Sequence, residues 1–245
     1  MQNVSSIMNA LAVKVDPIVV GGLTPLTTID YPGELAAVLF LQGCPWRCGY
    51  CQNAGLLARK SADTLAWADV LALLEKRREL LDAVVFSGGE PTLQAGLEIA
   101  IRQVKAMGFR IGLHTAGISP ERLHKILPLL DWVGMDIKAA AQDYAGITGA
   151  RNSAQRAWKS ARLIIDSGIA YEFRTTVHPD MLNQQQLDQL TDELCSLGAD
   201  NLVIQDCRTG SCLDPTRQHL QSERLTTAMY QQLGAKFSQF SLRSV

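Results

Sequence analysis

The stretch LAAVLFLQGCPWRCGYC, residues 35–51, decides the fold, because it joins a short apolar run to a loop with three cysteines. Residues 35–41 are continuously apolar and of strand length, which is typical of a buried parallel strand. The loop places Cys44, Cys48 and Cys51 in a C-x3-C-x2-C pattern. Such a loop directly after a parallel strand predicts an α/β fold with its active site at the carboxyl ends of the strands.

The rest of the chain repeats a strand–helix alternation around this stretch. Short apolar runs predict six strands followed by a possible seventh at the end of the chain: residues 35–41, 83–86, 110–114, 132–138, 171–177, 201–205 and 236–242. Helical spacing of apolar residues predicts helices over residues 64–81, 97–107, 120–130, 154–167, 184–197 and 225–233. Residues 21–33, rich in glycine and proline, read as turns. Alternation implies parallel strands with right-handed crossovers, and six units are fewer than a closed barrel's eight. We therefore expect a partial (β/α)6 TIM-like barrel, with a doubly wound sheet as the alternative.

Composition and charge limit the function classes. The chain has 245 residues, of which 47% are hydrophobic and 19% charged, and its formal net charge is −1. These values are typical of a folded protein and exclude a disordered chain. A near-neutral balance gives no electrostatic basis for nucleic-acid binding. No linker or repeat divides the chain, so we expect an N-terminal extension over residues 1–18 and a single domain over residues 19–245.

The apolar runs also bear on the compartment. The first residues lack the basic and apolar regions of a signal peptide, and no window approaches the roughly 18 apolar residues of a membrane-spanning helix. We expect a cytoplasmic protein that does not bind a membrane. Disulfides are rare in that compartment, where clustered cysteines usually indicate metal binding or catalysis.

The cysteine loop predicts an iron–sulfur site. Thiolates are soft ligands for iron–sulfur clusters, zinc and copper, and three close cysteines can hold a four-iron cluster with one iron left open. The alternative is a structural zinc site completed by Cys195, Cys207 or Cys212, although zinc sites typically combine two C-x2–4-C pairs. We expect those three distant cysteines to be ordinary reduced thiols.

Further polar residues follow the other strands. Gly88 and Gly89 end the second strand, where absent side chains allow a ligand to approach the backbone, and Glu90 adds an acceptor. The fourth strand ends with Asp136 and Lys138, which its period of two places on one face. Three more residues lie at or near strand ends: His114, Thr115 and Arg174.

These motifs together resemble a known family. The pattern Cys44-x3-Cys48-x-Tyr50-Cys51, followed by a strand-end Gly-Gly-Glu-Pro, resembles the radical S-adenosyl-L-methionine (SAM) superfamily. Three further stretches are similar to the glycyl-radical-enzyme activases, above all to activating proteins of anaerobic ribonucleoside-triphosphate reductase: GLTPLTTIDYPG (residues 22–33), FLQGCP (residues 40–45) and DIK (residues 136–138). The pyruvate formate-lyase activases are cousins within this group.

The resemblance implies a mechanism and a set of site residues. A 4Fe-4S cluster would be held by Cys44, Cys48 and Cys51, and its fourth iron would chelate SAM. An electron from a flavodoxin or ferredoxin would cleave SAM to a 5′-deoxyadenosyl radical, which would remove hydrogen from a glycine of the partner enzyme. The implied SAM contacts are Tyr50 near the adenine, Gly88, Gly89 and Glu90 at the amino group, Asp136 and Lys138 at the methionine portion, and Thr115 and Arg174 nearby.

Two other functions stay open from the sequence. One is a radical SAM oxidoreductase that acts on a small molecule or nucleotide, such as a deazapurine-forming or RNA-modifying enzyme, and a pyruvate formate-lyase-type activase is a close variant of the main prediction. The other is a zinc-binding α/β module without catalysis.

Overall fold

One eight-stranded sheet organises the computed structural model, which describes residues 18–243. Its strands are β1 (Val20–Thr27), β2 (Ala36–Leu41), β3 (Ala83–Gly88), β4 (Arg110–Thr115), β5 (Trp132–Asp136), β6 (Ala170–Val177), β7 (Asn201–Asp206) and β8 (Gln239–Arg243). The helices are α1 (Trp67–Glu75), α2 (Leu97–Ala106), α3 (Pro120–Ile126), α4 (Tyr144–Thr148), α5 (Ser153–Ser167), α6 (Gln184–Leu197) and α7 (Thr227–Gly234). The expected N-terminal extension lies outside the described residues, apart from Ile18.

The strands follow one another through the sheet in chain order. Strands β2 to β8 are parallel, whereas β1 pairs antiparallel with β2 at one edge. A doubly wound sheet requires a point at which the strand order reverses, and this order has none. The partial barrel expected from the sequence is confirmed, with seven parallel strands because the last predicted strand is present as β8.

The assignment of residues 21–33 to turns was wrong in its first part. Residues 20–27 form β1, although this strand contains two glycines and Pro25. Proline is tolerated on an edge strand, where its missing N–H leaves no ladder bond unmade. The pairing with β2 shifts register between Thr24 and Thr27, next to that proline. The edge position therefore explains why a strand forms from residues that are typical of turns.

Helix boundaries differ from the predictions at several ends: α1 ends at Glu75 and not at residue 81, and α3 ends at Ile126 and not at residue 130. The first helix begins at Trp67, not at residue 64, because Leu65 forms a β-bridge with Val20. The five-residue helix α4 was not predicted, since it is too short to show a helical period. Helix α6 has the predicted bounds and begins with a capping box between Asn183 and Gln186. Between residues 18 and 243, no helix is long and apolar enough to cross a membrane.

One side of the sheet faces the helices and the other lines the barrel. Six buried side chains on the inner side form what we call the apolar inner cluster: Tyr31, Ala36, Val38, Ala83, Val85 and Trp132. Tyr31 comes from the loop between β1 and β2, and its ring stacks on Trp132 with centroids 5.1 Å apart. The Nε2 atom of His114 on β4 lies 2.8 Å from the carbonyl oxygen of Asp30 in the same loop. This loop therefore packs against the inner side of the sheet along strands β2 to β5.

Candidate functional site at the carboxyl ends of the strands

The cysteine loop begins where β2 ends and is fixed by backbone hydrogen bonds. Gly43 N–H donates to the Leu56 carbonyl at 2.7 Å, so the returning chain holds the start of the loop. Arg47 N–H donates to the carbonyl of Thr148, the last residue of α4, at 2.9 Å. A tight turn joins Cys51 N–H to the Cys48 carbonyl at 2.9 Å. The loop therefore presents its three cysteines from an anchored backbone.

The glycine pair after β3 is required by the packing of this loop. A Cβ atom at Gly88 would lie 2.3 Å from the Leu41 backbone nitrogen, and one at Gly89 would lie 2.6 Å from the Gly43 carbonyl oxygen. Gly88 also has a φ of +113°, which side-chain-bearing residues rarely adopt. The sequence alone led us to expect a ligand close to these glycines. The close approach present in the structure is that of the backbone leading into the cysteine loop.

Glu90 joins the ends of β3 and β4. Its Oε1 atom accepts hydrogen bonds from the Thr92 N–H at 3.1 Å, the Thr92 hydroxyl at 2.6 Å and the Thr115 hydroxyl at 2.7 Å. Its Oε2 atom accepts one, from Ala116 N–H at 2.9 Å. Burial raises the pKa of this carboxyl, while the four donors oppose that shift. Most of the acceptor capacity of Glu90 is thus used within the protein, and Oε2 keeps room for one further donor.

A network of charges lines the inner side of β5, β6 and β8. We call these residues the charged inner cluster: Asp136, Lys138, Glu172, Arg174 and Arg243. Asp136 Oδ1 accepts from Arg174 Nε at 3.1 Å, and its Oδ2 accepts from Lys138 Nζ at 3.4 Å. Arg243 Nη2 donates to Glu172 Oε2 at 3.0 Å, and Arg174 Nη1 lies 4.0 Å from Glu172 Oε1. Opposite charges therefore alternate along the cluster.

The electrostatics keep both groups at the end of β5 charged. Burial favours the neutral form of Asp136, but the charges of Lys138 and Arg174 outweigh it, so the pKa of Asp136 is lowered. Burial would likewise lower the pKa of Lys138, but Tyr50 and Asp136 act in the opposite direction, and this pKa is well above its ordinary value. An ammonium and a carboxylate held side by side suit a zwitterionic ligand.

Lys138 and Tyr50 connect this cluster with the cysteine loop. The Lys138 Nζ atom lies 5.6 Å from the centre of the Tyr50 ring, within the range of a cation–π contact. Tyr50 is buried, so its predicted contact with adenine requires an edge or a face that the lysine does not cover. Burial raises the pKa of the Cys44 thiol to about 11, while the Lys138 charge opposes that rise. The Cys44 thiol is therefore neutral at pH 7 unless a metal cation stabilises its thiolate.

The donor set fits a multi-iron cluster better than a single ion. Within residues 18–243, no three His, Cys, Asp or Glu side chains converge closely enough to hold one metal ion. Cys195 lies elsewhere, with its thiol 3.7 Å from the Lys236 carbonyl oxygen. The zinc alternative thus has no converged site in the part of the chain that is described. Three thiols on one anchored loop supply the soft donors that an iron–sulfur cluster requires.

Three residues at this site were missed by sequence reasoning. The Tyr144 hydroxyl accepts from Lys138 N–H at 3.3 Å and donates to the Asp136 carbonyl at 3.4 Å. The Tyr144 ring also meets the ring of Trp46 edge-on at 5.9 Å, which links α4 to the cysteine loop. The other two are Glu172 and Arg243. A charged residue two positions before Arg174, on the same strand face, was the available signal for Glu172, whereas Arg243 reaches it across β7 and left no such signal.

Comparisons with known proteins agree with this geometry. A family model described as the radical SAM superfamily matches residues 38–193. A Methanocaldococcus jannaschii protein that carries the name "Putative glycyl-radical enzyme activating enzyme" is 34% identical over 182 residues, which cover 70% of this chain and 73% of that protein. The pyruvate formate-lyase-activating enzyme of Clostridium pasteurianum is 35% identical over 127 residues, which cover 49% of this chain and 53% of that enzyme.

Solved structures show the same fold at low sequence identity. QueE from Escherichia coli superposes with a TM-score of 0.53 at 16% identity, covering 93% of this chain and 94% of QueE. SuiB from Streptococcus suis gives a TM-score of 0.59 at 14% identity, covering 82% of this chain and 46% of SuiB. At such identities the likeness bears on the fold alone.

Proposed function

The chain belongs to the radical SAM superfamily, and we propose that it activates a glycyl-radical enzyme, specifically an anaerobic ribonucleoside-triphosphate reductase. Radical SAM enzymes use a 4Fe-4S cluster and SAM. When bound, these groups supply a one-electron cleavage that yields a carbon-centred radical able to remove hydrogen from a glycine Cα. The protein's own contribution is to bind, orient and shield these groups.

The described residues support distinct tasks in this proposal. Cys44, Cys48 and Cys51 hold the cluster, from a loop anchored by Gly43 and Arg47. Lys138 and Asp136 bind the carboxylate and ammonium of the methionine portion, because they stay charged and lie 3.4 Å apart. Arg174 orients Asp136 through its hydrogen bond, and Glu90 Oε2 accepts one further donor.

One observation carries the activase function: the 34% identity to the named activating enzyme of Methanocaldococcus jannaschii, over 73% of that protein. The reductase as partner is supported more narrowly, by the motif of residues 22–33 and the stretch of residues 40–45. The motif of residues 22–33 forms most of β1 and places Tyr31 on the inner side of the sheet, against Trp132. Identity to the clostridial enzyme favours pyruvate formate-lyase as a second candidate partner.

The partner is tested by mixing the reduced, cluster-loaded protein with SAM and each candidate enzyme under nitrogen. We expect the electron paramagnetic resonance signal of a glycyl radical with the reductase and none with pyruvate formate-lyase. The reverse result would assign the second partner. Cleavage of SAM without a radical on any glycyl-radical enzyme would contradict the activase function and favour a small-molecule substrate.

The cluster ligands are tested by a matched pair of cysteine variants. Cys48→Ala should lose iron, sulfide and SAM cleavage together, because Cys48 is a ligand in this proposal. Cys195→Ala is the control, since Cys195 faces Lys236 away from the loop. Retained SAM cleavage in Cys48→Ala would refute the ligand assignment.

The proposal further includes a flavodoxin or ferredoxin as electron donor and a cytoplasmic location.

A further inference from the structure

Cys207 and Cys212 form a close pair of buried thiols. Their Sγ atoms lie 3.7 Å apart, and both side chains are buried. Cys207 follows β7 directly and donates its N–H to the carbonyl of Val177 at the end of β6. A tight turn, closed by a 3.0 Å hydrogen bond from Cys212 N–H to the Thr209 carbonyl, brings the two cysteines together. The sequence predicted ordinary reduced thiols at these positions, and the fold brings the two together as a pair.

The segment that carries this pair covers the cysteine loop. We call residues 207–217 the cover segment. Asp214 N–H donates to the Gly49 carbonyl at 2.9 Å, and the Gln52 side chain donates to the Arg208 carbonyl at 3.2 Å. These two bonds contact the loop on either side of Cys51. The thiol pair thus lies in the segment that contacts the loop of the candidate metal ligands.

We propose that Cys207 and Cys212 are a reversible dithiol–disulfide couple, oxidised by a low-molecular-weight disulfide such as oxidised glutathione. One cysteine thiolate attacks the reagent, which forms a mixed disulfide and releases one glutathione thiol. The second cysteine then attacks the protein sulfur of that mixed disulfide and releases the second thiol. The protein loses two electrons and two protons, and both pass to glutathione. The reverse reaction with reduced glutathione restores the dithiol.

Geometry supports this couple. The sulfurs need to close from 3.7 Å to about 2.05 Å, a movement that a turn can make without refolding the sheet. Both sulfurs are buried, whereas Arg208, Gly210 and Ser211 between them are exposed, so local opening of this surface turn brings the thiols to the reagent. Among residues 18–243 no third metal-ligating side chain joins the pair. Disulfide chemistry therefore accounts for the pair better than a metal site.

The position of Arg208 gives a direct test on the full, cluster-loaded chain. The protein is equilibrated under nitrogen with varied ratios of oxidised to reduced glutathione, quenched in acid, alkylated and digested with trypsin. Trypsin cuts after Arg208, so a Cys207–Cys212 disulfide joins the peptides of residues 175–208 and 209–217. We expect this linked product to increase with the oxidised fraction and to disappear on re-reduction.

Matched serine variants identify the partners, because residues 175–208 also contain Cys195. The linked product should persist in Cys195→Ser and be absent in Cys207→Ser and Cys212→Ser. Persistence in Cys207→Ser would assign the bond to Cys195 and overturn the proposal. Full alkylation of Cys207 and Cys212 at every ratio, while Cys195 takes up glutathione, would overturn it as well. Neither result depends on the enzyme's activity or its partner.

Discussion

The two halves of the barrel interior differ in what holds them together. Under β2 to β5, the apolar inner cluster packs around the stacked rings of Tyr31 and Trp132. Under β5 to β8, the charged inner cluster is held by the alternating charges of Asp136, Arg174, Glu172 and Arg243. Apolar packing is stabilising in itself, whereas buried ion pairs often break even against apolar residues of the same volume. The comparison therefore indicates that the first half contributes more to stability, whereas the second half is the one to which the proposal assigns SAM binding.

A single strand passes through both halves. Trp132 begins β5 within the apolar inner cluster, and Asp136 ends the same strand within the charged one. Gly134 lies between them, where a Cβ atom would meet the Trp132 ring at 2.6 Å and the Arg174 guanidinium at 3.0 Å. Glu172 Oε1 is buried without a hydrogen-bond partner. Such an unsatisfied acceptor is expected at a functional site and not in a region built for stability.

The largest effect should come from Trp132→Ala in the apolar inner cluster. Removing this buried ring should lower the free energy of unfolding by about 3–5 kcal/mol, because it leaves a cavity beneath the sheet. Urea denaturation measures the loss, and Trp158→Ala, at a half-buried tryptophan outside the cluster, should lose clearly less. SAM affinity of the folded variant should stay near that of the parent. A large drop in affinity would break the division between the halves.

Arg174→Met should give the next largest effect, and it should lower both the free energy of unfolding and the affinity for SAM. The buried Glu172 and the partly exposed Asp136 lose their shared cation, which should lower the free energy of unfolding by about 2–3 kcal/mol. SAM should also bind at least tenfold more weakly, as isothermal titration calorimetry would show, because Asp136 loses its orienting partner. The double variant Arg174→Met/Glu172→Gln should regain part of the stability but none of the affinity. Equal recovery of both would contradict a binding role for this half.

The buried side chain of His114 should make the free energy of unfolding depend on pH. Burial, followed by the Arg174 charge, lowers the pKa of His114 from 6.5 to about 3. Between these two pH values the unfolded chain binds the additional proton, so stability is full above pH 6.5 and falls as the pH decreases toward 3. The loss between pH 7 and pH 5 should be about 2 kcal/mol.

The His114 contribution is isolated by comparing slopes of stability against pH. His114→Gln cannot take up this proton, so that part of the acid loss should vanish, whereas His124→Gln on the exposed side of α3 should keep it. Urea titrations at both pH values provide the measurement. Identical slopes in all three proteins would show that His114 does not stay neutral in the folded state.

The smallest effect should come from Tyr144→Phe. This change removes only a hydroxyl that lies 3.3 Å from Lys138 N and 3.4 Å from the Asp136 carbonyl oxygen. The expected loss of stability is about 1 kcal/mol, in line with an ordinary neutral hydrogen bond. SAM affinity should fall a few-fold because the backbone between Asp136 and Lys138 loses a support. A drop as large as that of Arg174→Met would mean that Tyr144 contacts the ligand itself.

Much of this architecture could be predicted because buried parallel strands are continuously apolar in sequence. Continuous apolar runs located strands β2 to β7 to within a few residues, and the last predicted strand is present as β8. Strand β1 was missed because an edge strand tolerates Pro25 and two glycines, which otherwise indicate turns. The period of two correctly placed Asp136 and Lys138 on one face, where their side chains meet.

The rest of the site depends on register, which the sequence does not display. Arg243 reaches Glu172 across β7 only because the pairing places it opposite Gln205. The structural use of Gly88 and Gly89 follows from their contact with Leu41 and Gly43, from a strand more than 40 residues earlier. Local patterns pointed to Asp136, Lys138 and Arg174 as candidates, whereas their partners Tyr144, Glu172 and Arg243 required the assembled sheet.

The proposed reaction removes a hydrogen atom from a glycine of the partner enzyme. The direct measurement uses a partner reductase labelled with α,α-dideuterated glycine and follows the 5′-deoxyadenosine produced from SAM by mass spectrometry. The account predicts one deuterium in the 5′-deoxyadenosine for each glycyl radical formed. Unlabelled 5′-deoxyadenosine, produced at full rate in the presence of the labelled partner, would contradict it.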